Sequence, residues 1–144
     1  MIKFIPFNPG HLDRFMLQPS QEYLGRMVSD PIARLNAGKS RSAWSGVVDG
    51  RIVGSAGVLP VNGGAGYCWA LLSNSIPKSS WVRITRFVIS ELDKAQRDGM
   101  RNLYTTVKED FCRGHEWAKI LGFIQAGNSE IVLGVNHLVY QRYK

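Results

Sequence analysis

The segment from residue 68 to residue 123 constrains the fold of this 144-residue chain more than any other feature. Its pattern is an apolar strand, a polar loop over residues 73–80, a long amphipathic helix, a second strand and a shorter helix. A loop that leaves a strand and opens a helix leaves several backbone N–H groups without partners and pointing at one spot. The segment therefore predicts an α+β domain with an anion site suited to the pyrophosphate of a nucleotide-like cofactor. If the loop binds nothing, the chain is a small α+β domain whose purpose the sequence does not state.

The long helix is predicted to begin at Trp81. Its apolar residues recur at 81, 84, 88, 92 and 95, and its basic residues fall elsewhere. This spacing predicts one face toward a core and one basic face. Gly99 is expected to end the helix, residues 103–107 to form a strand, and residues 110–121 to form a helix with Gly122 at its C-terminal cap.

The first half of the chain contains the clearest local signal, a hairpin. Asp49-Gly50 lies between two β-rich stretches and supplies the positive φ values that a tight turn requires. Ser20 is a plausible N-cap for a helix, because its hydroxyl can accept from the first free amides. The remaining predicted elements are listed in chain order: strand 2–7, helices 11–17, 20–28 and 31–35, strands 43–48, 51–59 and 67–72, and terminal strands around 123–125, 131–135 and 137–143.

Composition restricts the class of protein. A hydrophobic content of 44% over 144 residues suits one domain, predicted to be residues 1–144. No apolar run approaches a membrane span and residues 1–6 lack a signal-peptide core, so we expect a cytoplasmic protein. Cys68 and Cys112 are expected to be reduced and partly buried. The net charge of +7 is spread along the chain, and without a recognition motif nucleic acid is not an expected partner.

Two motifs that suggest ligands do not meet the requirements of their sites. Gly38-Lys39-Ser40 ends like a phosphate-binding P-loop, but the first glycine of that motif would have to stand at Ala33. The three histidines, His11, His115 and His137, lie on separate predicted elements without a second ligand at metal spacing, so no metal is expected.

The order of elements, with Leu121-Gly122-Phe123 closing the last helix, resembles the Gcn5-related N-acetyltransferases, the GNAT family. The resemblance covers residues 2–143. It implies an α+β GNAT fold, with a central mixed, mostly antiparallel sheet of about seven strands flanked by about four helices.

The second half of the chain also resembles the small acetyltransferase-like proteins of short-tailed phages, including those classed as internal virion proteins. The residues that carry this resemblance are Cys68-Trp69, Ser73, Lys78-Ser79-Ser80 and Leu121-Gly122. It implies a phage or prophage origin, with virion or host proteins as further partners and an oligomer as an option. It also implies an alternative to catalysis, a virion core or assembly protein that keeps the fold.

The GNAT resemblance implies direct transfer of an acetyl group from acetyl-CoA, or another acyl-CoA, to an amine. The cofactor's pantetheine arm would pair with the backbone of residues 70–72, and its pyrophosphate would lie at the start of the next helix. The family's Arg/Gln-x-x-Gly-x-Gly/Ala loop corresponds here to residues 76–81, which contain no glycine. Lys78 and the serines could replace part of that contact, or serve only as a solvated loop residue and helix caps. The implied cofactor-binding residues are Leu71, Leu72, Ser73, Asn74, Lys78, Ser79, Ser80 and Arg83.

The catalytic positions depart further from the family pattern. The family's tyrosine acid falls on Ala118 and its asparagine on Phe111. The substitutes predicted here are His115, whose ordinary pKa near 6.5 suits proton exchange, Tyr104 and Glu109. Glu109 and its neighbour Asp110 could equally be an acidic helix start. Glu22 is a further candidate, for the acceptor pocket.

Overall fold

A computed structural model describes residues 1–143. Seven strands form one sheet in the order β1-β2-β3-β4-β5-β7-β6. Neighbouring strands are antiparallel except β4 and β5, which run parallel. The strands are β1 (Lys3–Pro6), β2 (Ser42–Val48), β3 (Arg51–Val61), β4 (Ala65–Leu72), β5 (Asn102–Lys108), β6 (Ile124–Val132) and β7 (Val135–Tyr143). The predicted GNAT architecture, with its mixed and mostly antiparallel sheet, is confirmed.

The helices divide between the two faces of the sheet. The α-helices are α1 (Gly25–Ser29), α2 (Pro31–Gly38), α3 (Trp81–Arg97) and α4 (Cys112–Ile120), and 3₁₀-helices cover Pro9–Asp13, Pro19–Leu24 and Lys78–Ser80. Helices α3 and α4 form the main core with the sheet, in which Leu103 of β5 and Tyr140 of β7 are fully buried. Because side chains alternate along a strand, Tyr104 and His137 lie on the opposite face, where Tyr23 of the N-terminal segment contacts His137.

Three local predictions are confirmed. Asp49 and Gly50 join β2 to β3 with φ values of 49° and 76°. On α3 the predicted apolar stripe is the buried one and includes Ile84, Leu92 and Ala95. Gly122 follows α4 with a φ of 97°, which a residue with a Cβ rarely adopts.

The N-terminal helices differ from the prediction. The helix expected over residues 11–17 is the 3₁₀-helix Pro9–Asp13, capped by the side chain of Asn8. The helix expected over residues 20–28 is divided into the 3₁₀-helix Pro19–Leu24 and α1. Ser20 is therefore not an N-cap, because Pro19 already occupies the first helical turn, a position that suits its missing amide hydrogen.

Two further predictions were wrong. Residues 131–135 are not a strand of their own: β6 runs through to Val132, and a turn at Leu133 and Gly134, with φ values of 50° and 77°, leads into β7. Cys112 was expected to be partly buried, but it is exposed at the start of α4. No helix among residues 1–143 is long and apolar enough to cross a membrane.

Candidate functional site

The most distinctive feature of the sheet is the place where β4 and β5 part. The two parallel strands pair only from Ala65 to Tyr67 and from Asn102 to Tyr104, although β4 continues to Leu72 and β5 to Lys108. The hydroxyl of Thr105 donates to the carbonyl oxygen of Cys68 at 2.8 Å and bridges the strands just beyond the last pair. Beyond this bridge lies a wedge that interrupts the sheet and leaves one edge of β4 without a partner strand.

Alternation along β4 decides which of its backbone groups point into the wedge. The amide of Ser73 donates to the carbonyl of Val53 at 2.8 Å, and Leu71 is opposite Ser55, so residues 71 and 73 face β3. The backbone groups of Ala70 and Leu72 point the other way, toward β5. Of the two leucines predicted to hold a cofactor, Leu72 therefore presents its amide and carbonyl to the wedge, and Leu71 does not.

The wedge edge of β4 is covered by the N-terminal segment. The Gln21 side chain donates to the carbonyl of Ala70 at 2.8 Å and accepts from the amide of Leu72 at 2.9 Å. The amide of Gln18 donates to the carbonyl of Leu72 at 2.9 Å. Neither glutamine was predicted from the sequence, because no local pattern ties a residue at position 21 to a strand about fifty residues later.

The loop after β4 leads to the predicted anion site. Ser73 stabilises its first turn, because the Ser73 hydroxyl accepts from the amide of Ser75 at 3.0 Å. The amide of Asn74 donates to the carbonyl of Met16 at 3.2 Å. The 3₁₀-helix Lys78–Ser80 then runs directly into α3. Amides in the first turn of a helix lack intrahelical partners and carry partial positive charge.

Three of the predicted anion-binding residues meet at this helix start. Lys78 and Ser79 are exposed there, and the exposed Arg83 lies in the first turn of α3. Ser80 is buried, and it stands at the cap position of α3 without a side-chain capping bond. The exposed side chains of Lys78, Ser79 and Arg83 thus belong to the turn that begins the helix or to the one after it, whereas Ser80 is buried.

His115 lies on α4, and both of its ring nitrogens are engaged. Nε2 is 2.9 Å from the carbonyl oxygen of Glu109, which can only accept, so Nε2 carries the hydrogen. Nδ1 therefore accepts from the hydroxyl of the buried Tyr140, 2.8 Å away. The Glu109 carboxylate is exposed and accepts from the side-chain amide of Asn136. These contacts tie α4 to β5 and β7.

Tyr104 lies at the last β4–β5 pair, at the origin of the wedge. Its ring is 5.2 Å from that of Tyr67 on the neighbouring strand. Burial raises the pKa of the Tyr104 phenol above its ordinary value, and the charge of Glu130 adds to the rise. The phenol is therefore protonated at neutral pH and can donate a proton or a hydrogen bond. It cannot act as a base there.

A tyrosine–histidine pair on the same face was not predicted. His137 is 2% exposed, and its Nδ1 is 2.9 Å from the carbonyl oxygen of Val135, so Nδ1 donates and Nε2 accepts. The hydroxyl of Tyr23, which is 114 residues away in the sequence, donates to Nε2 of His137 at 2.5 Å. Burial, with smaller effects of Tyr67 and Asp110, raises the pKa of Tyr23 to about 12. The ammonium of Lys108 lies 5.5 Å from the centre of the Tyr23 ring.

The positions that depart from the family pattern have structural roles. Ala118 is 4% exposed and belongs to the main core, so α4 offers no side-chain donor there. Phe111 precedes α4 without a side-chain capping bond. Glu22 is exposed on the 3₁₀-helix that carries Gln21. Residues 1–143 contain no group of three or more His, Cys, Asp or Glu side chains placed to hold a metal ion.

Solved acetyltransferases share this whole architecture. An acetyltransferase of the GNAT family from Bacillus anthracis matches with a TM-score of 0.71 and 9% identity, over 99% of this chain and 94% of that one. The chain has the GNAT fold. The IAA acetyltransferase from Bacillus cereus matches with a TM-score of 0.66 and 11% identity, over 100% and 99% of the two chains. Aminoglycoside acetyltransferase AAC(6')-Ib, in complex with coenzyme A and kanamycin, matches with a TM-score of 0.64 and 13% identity, over 100% and 95%.

The likeness is one of structure. No protein-family model and no curated protein matches the sequence. With identities of 9% to 13%, the matches with these solved structures establish the GNAT fold of the chain. They do not assign it a reaction.

Proposed function

We propose that this protein is an acyl-CoA-dependent N-acetyltransferase that transfers an acetyl group directly to an amine. The observation that carries the proposal is the wedge between β4 and β5, which leads to a basic helix start. Pairing ends at Tyr67 and Tyr104, and the wedge edge of β4 runs from Ala70 toward Lys78. A strand edge with backbone donors and acceptors, followed by a positively charged helix start, suits a cofactor that carries amides and a pyrophosphate.

The residues at the helix start fit the cofactor's pyrophosphate in chemistry. Lys78 and Arg83 supply positive charge, and Ser79 adds a hydroxyl beside the first-turn amides of Lys78 and Ser79. Acetyl-CoA, when bound, supplies a thioester whose acyl carbon an amine can attack. The role of this loop is then to hold the phosphates so that the thioester lies near the origin of the wedge.

Proton handling falls to groups near the wedge. Tyr104, with its raised pKa, is the proposed hydrogen-bond donor toward the reacting carbonyl or the leaving sulfur. The exposed Glu109 carboxylate is the proposed acceptor of the ammonium proton, through water. His115 would have to release Tyr140 or the Glu109 carbonyl before it could exchange a proton, so its proposed role is to position α4.

The acceptor is proposed to be a cationic amine. On the face of the sheet that the N-terminal segment covers, the ring centres of Tyr67 and Tyr104 lie 5.2 Å apart. Glu130 is close enough to raise the pKa of Tyr104. Aromatic faces and a carboxylate together attract an ammonium group. One structural neighbour, AAC(6')-Ib, is seen with kanamycin, and for this chain the class of acceptor is inferred only from these side chains.

A second candidate is a non-catalytic GNAT-fold protein of phage origin, a virion core or assembly component. Two observations favour it: the backbone edge of Ala70 and Leu72 is already bound by Gln18 and Gln21, and Ala118 replaces the family's tyrosine. This candidate predicts that the protein cosediments with purified phage particles and releases no free thiol from acetyl-CoA.

A thermal melt with acetyl-CoA tests the enzymatic proposal. A ligand at a hundred times its Kd adds about 2.7 kcal/mol to the free energy of unfolding. For a domain of this size that raises the Tm by roughly 5–10 °C. Lys78→Ala combined with Ser79→Ala should remove most of the shift. Lys3→Ala should keep it, because Lys3 is exposed on β1, which β2 and β3 separate from β4. No shift at millimolar acetyl-CoA would refute the proposal.

A further inference from the structure

Residues 16–21, here called the edge strap, follow the open edge of β4 like a short added strand. The amide of Asn74 donates to the Met16 carbonyl at 3.2 Å, and the amide of Gln18 donates to the Leu72 carbonyl at 2.9 Å. Leu17 and Ser73 form an antiparallel bridge between these two bonds. The backbone of the edge strap thus pairs with the end of β4.

The side chain of Gln21 continues this pairing where the strap's backbone turns away into Pro19–Leu24. Its carboxamide donates to the Ala70 carbonyl at 2.8 Å and accepts from the Leu72 amide at 2.9 Å. One amide that donates to residue i and accepts from residue i+2 reproduces what the N–H and C=O of one residue in a neighbouring parallel strand do. Gln18 orients this carboxamide, because its own side chain donates to Gln21 Oε1 at 3.2 Å.

The groups that Gln21 occupies are those through which the wedge would bind an amide-bearing arm. We propose that the Gln21 carboxamide is an internal competitor for the β4 edge. It must leave Ala70 and Leu72 before the pantetheine arm of an acyl-CoA pairs there, so its release limits the protein's affinity for the cofactor. This inference rests on the function proposed above.

The exchange is chemically balanced, which makes the contact displaceable. The Gln21 carboxamide leaves and an amide of the pantetheine arm takes its place, so neither the Ala70 carbonyl nor the Leu72 amide stays buried without a partner. The 3₁₀-helix Pro19–Leu24 that carries Gln21 has no buried residue, so moving the side chain exposes little apolar surface. A permanent structural contact would instead be expected on a segment anchored in the core, as α3 is by Ile84 and Leu92.

The test replaces the carboxamide and keeps the bulk of the side chain. Gln21→Met retains the length of the side chain and loses both hydrogen bonds with β4, together with the one from Gln18. Acetyl-CoA binding is measured by isothermal titration calorimetry for the wild type, for Gln21→Met and for the control Gln125→Met, at an exposed position of β6. We expect Gln21→Met to bind on the order of tenfold more tightly, the value of about two net hydrogen bonds, and Gln125→Met to bind like the wild type.

Hydrogen exchange of the Leu72 amide, measured without cofactor, provides a readout that does not depend on binding. It should be faster in Gln21→Met than in the wild type, because the variant removes the acceptor of that amide. If Gln21→Met does not fold, Gln21→Ala serves the same purpose.

The outcomes separate this inference from the proposed function. Tighter binding by Gln21→Met than by a wild type that also binds supports both. Equal or weaker binding by the variant, when the wild type binds, contradicts the proposal that Gln21 competes for the β4 edge, but it does not contradict the acetyltransferase proposal. An unchanged exchange rate of the Leu72 amide also contradicts the proposal that Gln21 competes for this edge. If neither protein binds acetyl-CoA, both proposals fall.

Discussion

Arg142 allows the clearest quantitative test of how β7 is joined to the helices. Its Nε donates to the Leu121 carbonyl at 2.8 Å, its Nη2 pairs with Asp93 at 2.6 Å, and its third nitrogen donates to the Gln96 side chain. The side chain is only 12% exposed, and Gln96 is 5% exposed. One guanidinium therefore links the end of α4, two turns of α3 and the last strand.

Arg142→Ala should lower the free energy of unfolding by about 3–6 kcal/mol. The Leu121 carbonyl and the Gln96 oxygen lose their donor in a protected place, and a buried acceptor without a partner costs about 1–3 kcal/mol. The Asp93 carboxylate is 48% exposed and is rehydrated, so its ion pair adds at most about 1 kcal/mol. Against a typical total of about 5–15 kcal/mol this is a large loss, equivalent to a Tm decrease of roughly 6–22 °C.

Guanidinium chloride unfolding followed by far-UV circular dichroism measures the change, with two companion variants. Asp93→Asn should cost less than about 1 kcal/mol, because only the half-exposed ion pair is removed. Arg142→Lys should lose most of the free energy of unfolding that Arg142→Ala loses, since an ammonium cannot reach three acceptors in one plane. The reasoning is refuted if Arg142→Ala is as stable as the wild type, or if Asp93→Asn costs as much as Arg142→Ala.

Three further predictions concern pH, packing and thiol reactivity. Burial, aided by a nearby arginine, lowers the pKa of His11 below 6.5, so the unfolded state takes up protons first as the pH falls. The free energy of unfolding should therefore decline below about pH 6.5 and level off once the pH is below the pKa of His11 in the folded protein. Urea unfolding of His11→Gln, measured over the same pH range, should lack this part of the pH dependence. Gly66→Ala would place a methyl group 2.7 Å from a valine side chain and 2.9 Å from a leucine and a methionine. It should cost about 1–3 kcal/mol in chemical unfolding, whereas Gly25→Ala, with nothing within 4 Å of the added Cβ, should cost nothing. Burial raises the pKa of Cys68 to about 12, and Cys112 is exposed. A thiol reagent should therefore modify Cys112 in the native protein and Cys68 only on unfolding. Immediate reaction of both would contradict this assignment.

The order of elements was predictable because each element depends on neighbours a few residues away. Asp49-Gly50 specifies its turn through backbone conformations that few other pairs adopt. The apolar stripe of α3 specifies which face is buried. Prediction failed where proline altered the local geometry, as at Pro19, and where a turn interrupted an apolar run, as at Leu133 and Gly134.

The candidate site was predictable only in part. Lys78, Ser79 and Arg83 are close in sequence and exposed at the start of the long helix, as the loop-to-helix pattern indicates, and their contact with a cofactor stays a prediction. The engagement of both His115 nitrogens depends on Tyr140, 25 residues away, and the pairing of Tyr23 with His137 spans 114 residues. Nothing in the local pattern around these residues specifies such partners.

By itself the sequence determined the α+β order, the hairpin, the buried face of the long helix and its basic start, since short-range sterics and periodicity govern these. Only the tertiary structure decided that β4 and β5 part after Tyr67 and Tyr104, and that Gln21 fills the edge so exposed. The physical reason is that a strand edge left unpaired must satisfy its amides and carbonyls from whichever segment packs beside it. That neighbour is set by the folding of the whole chain.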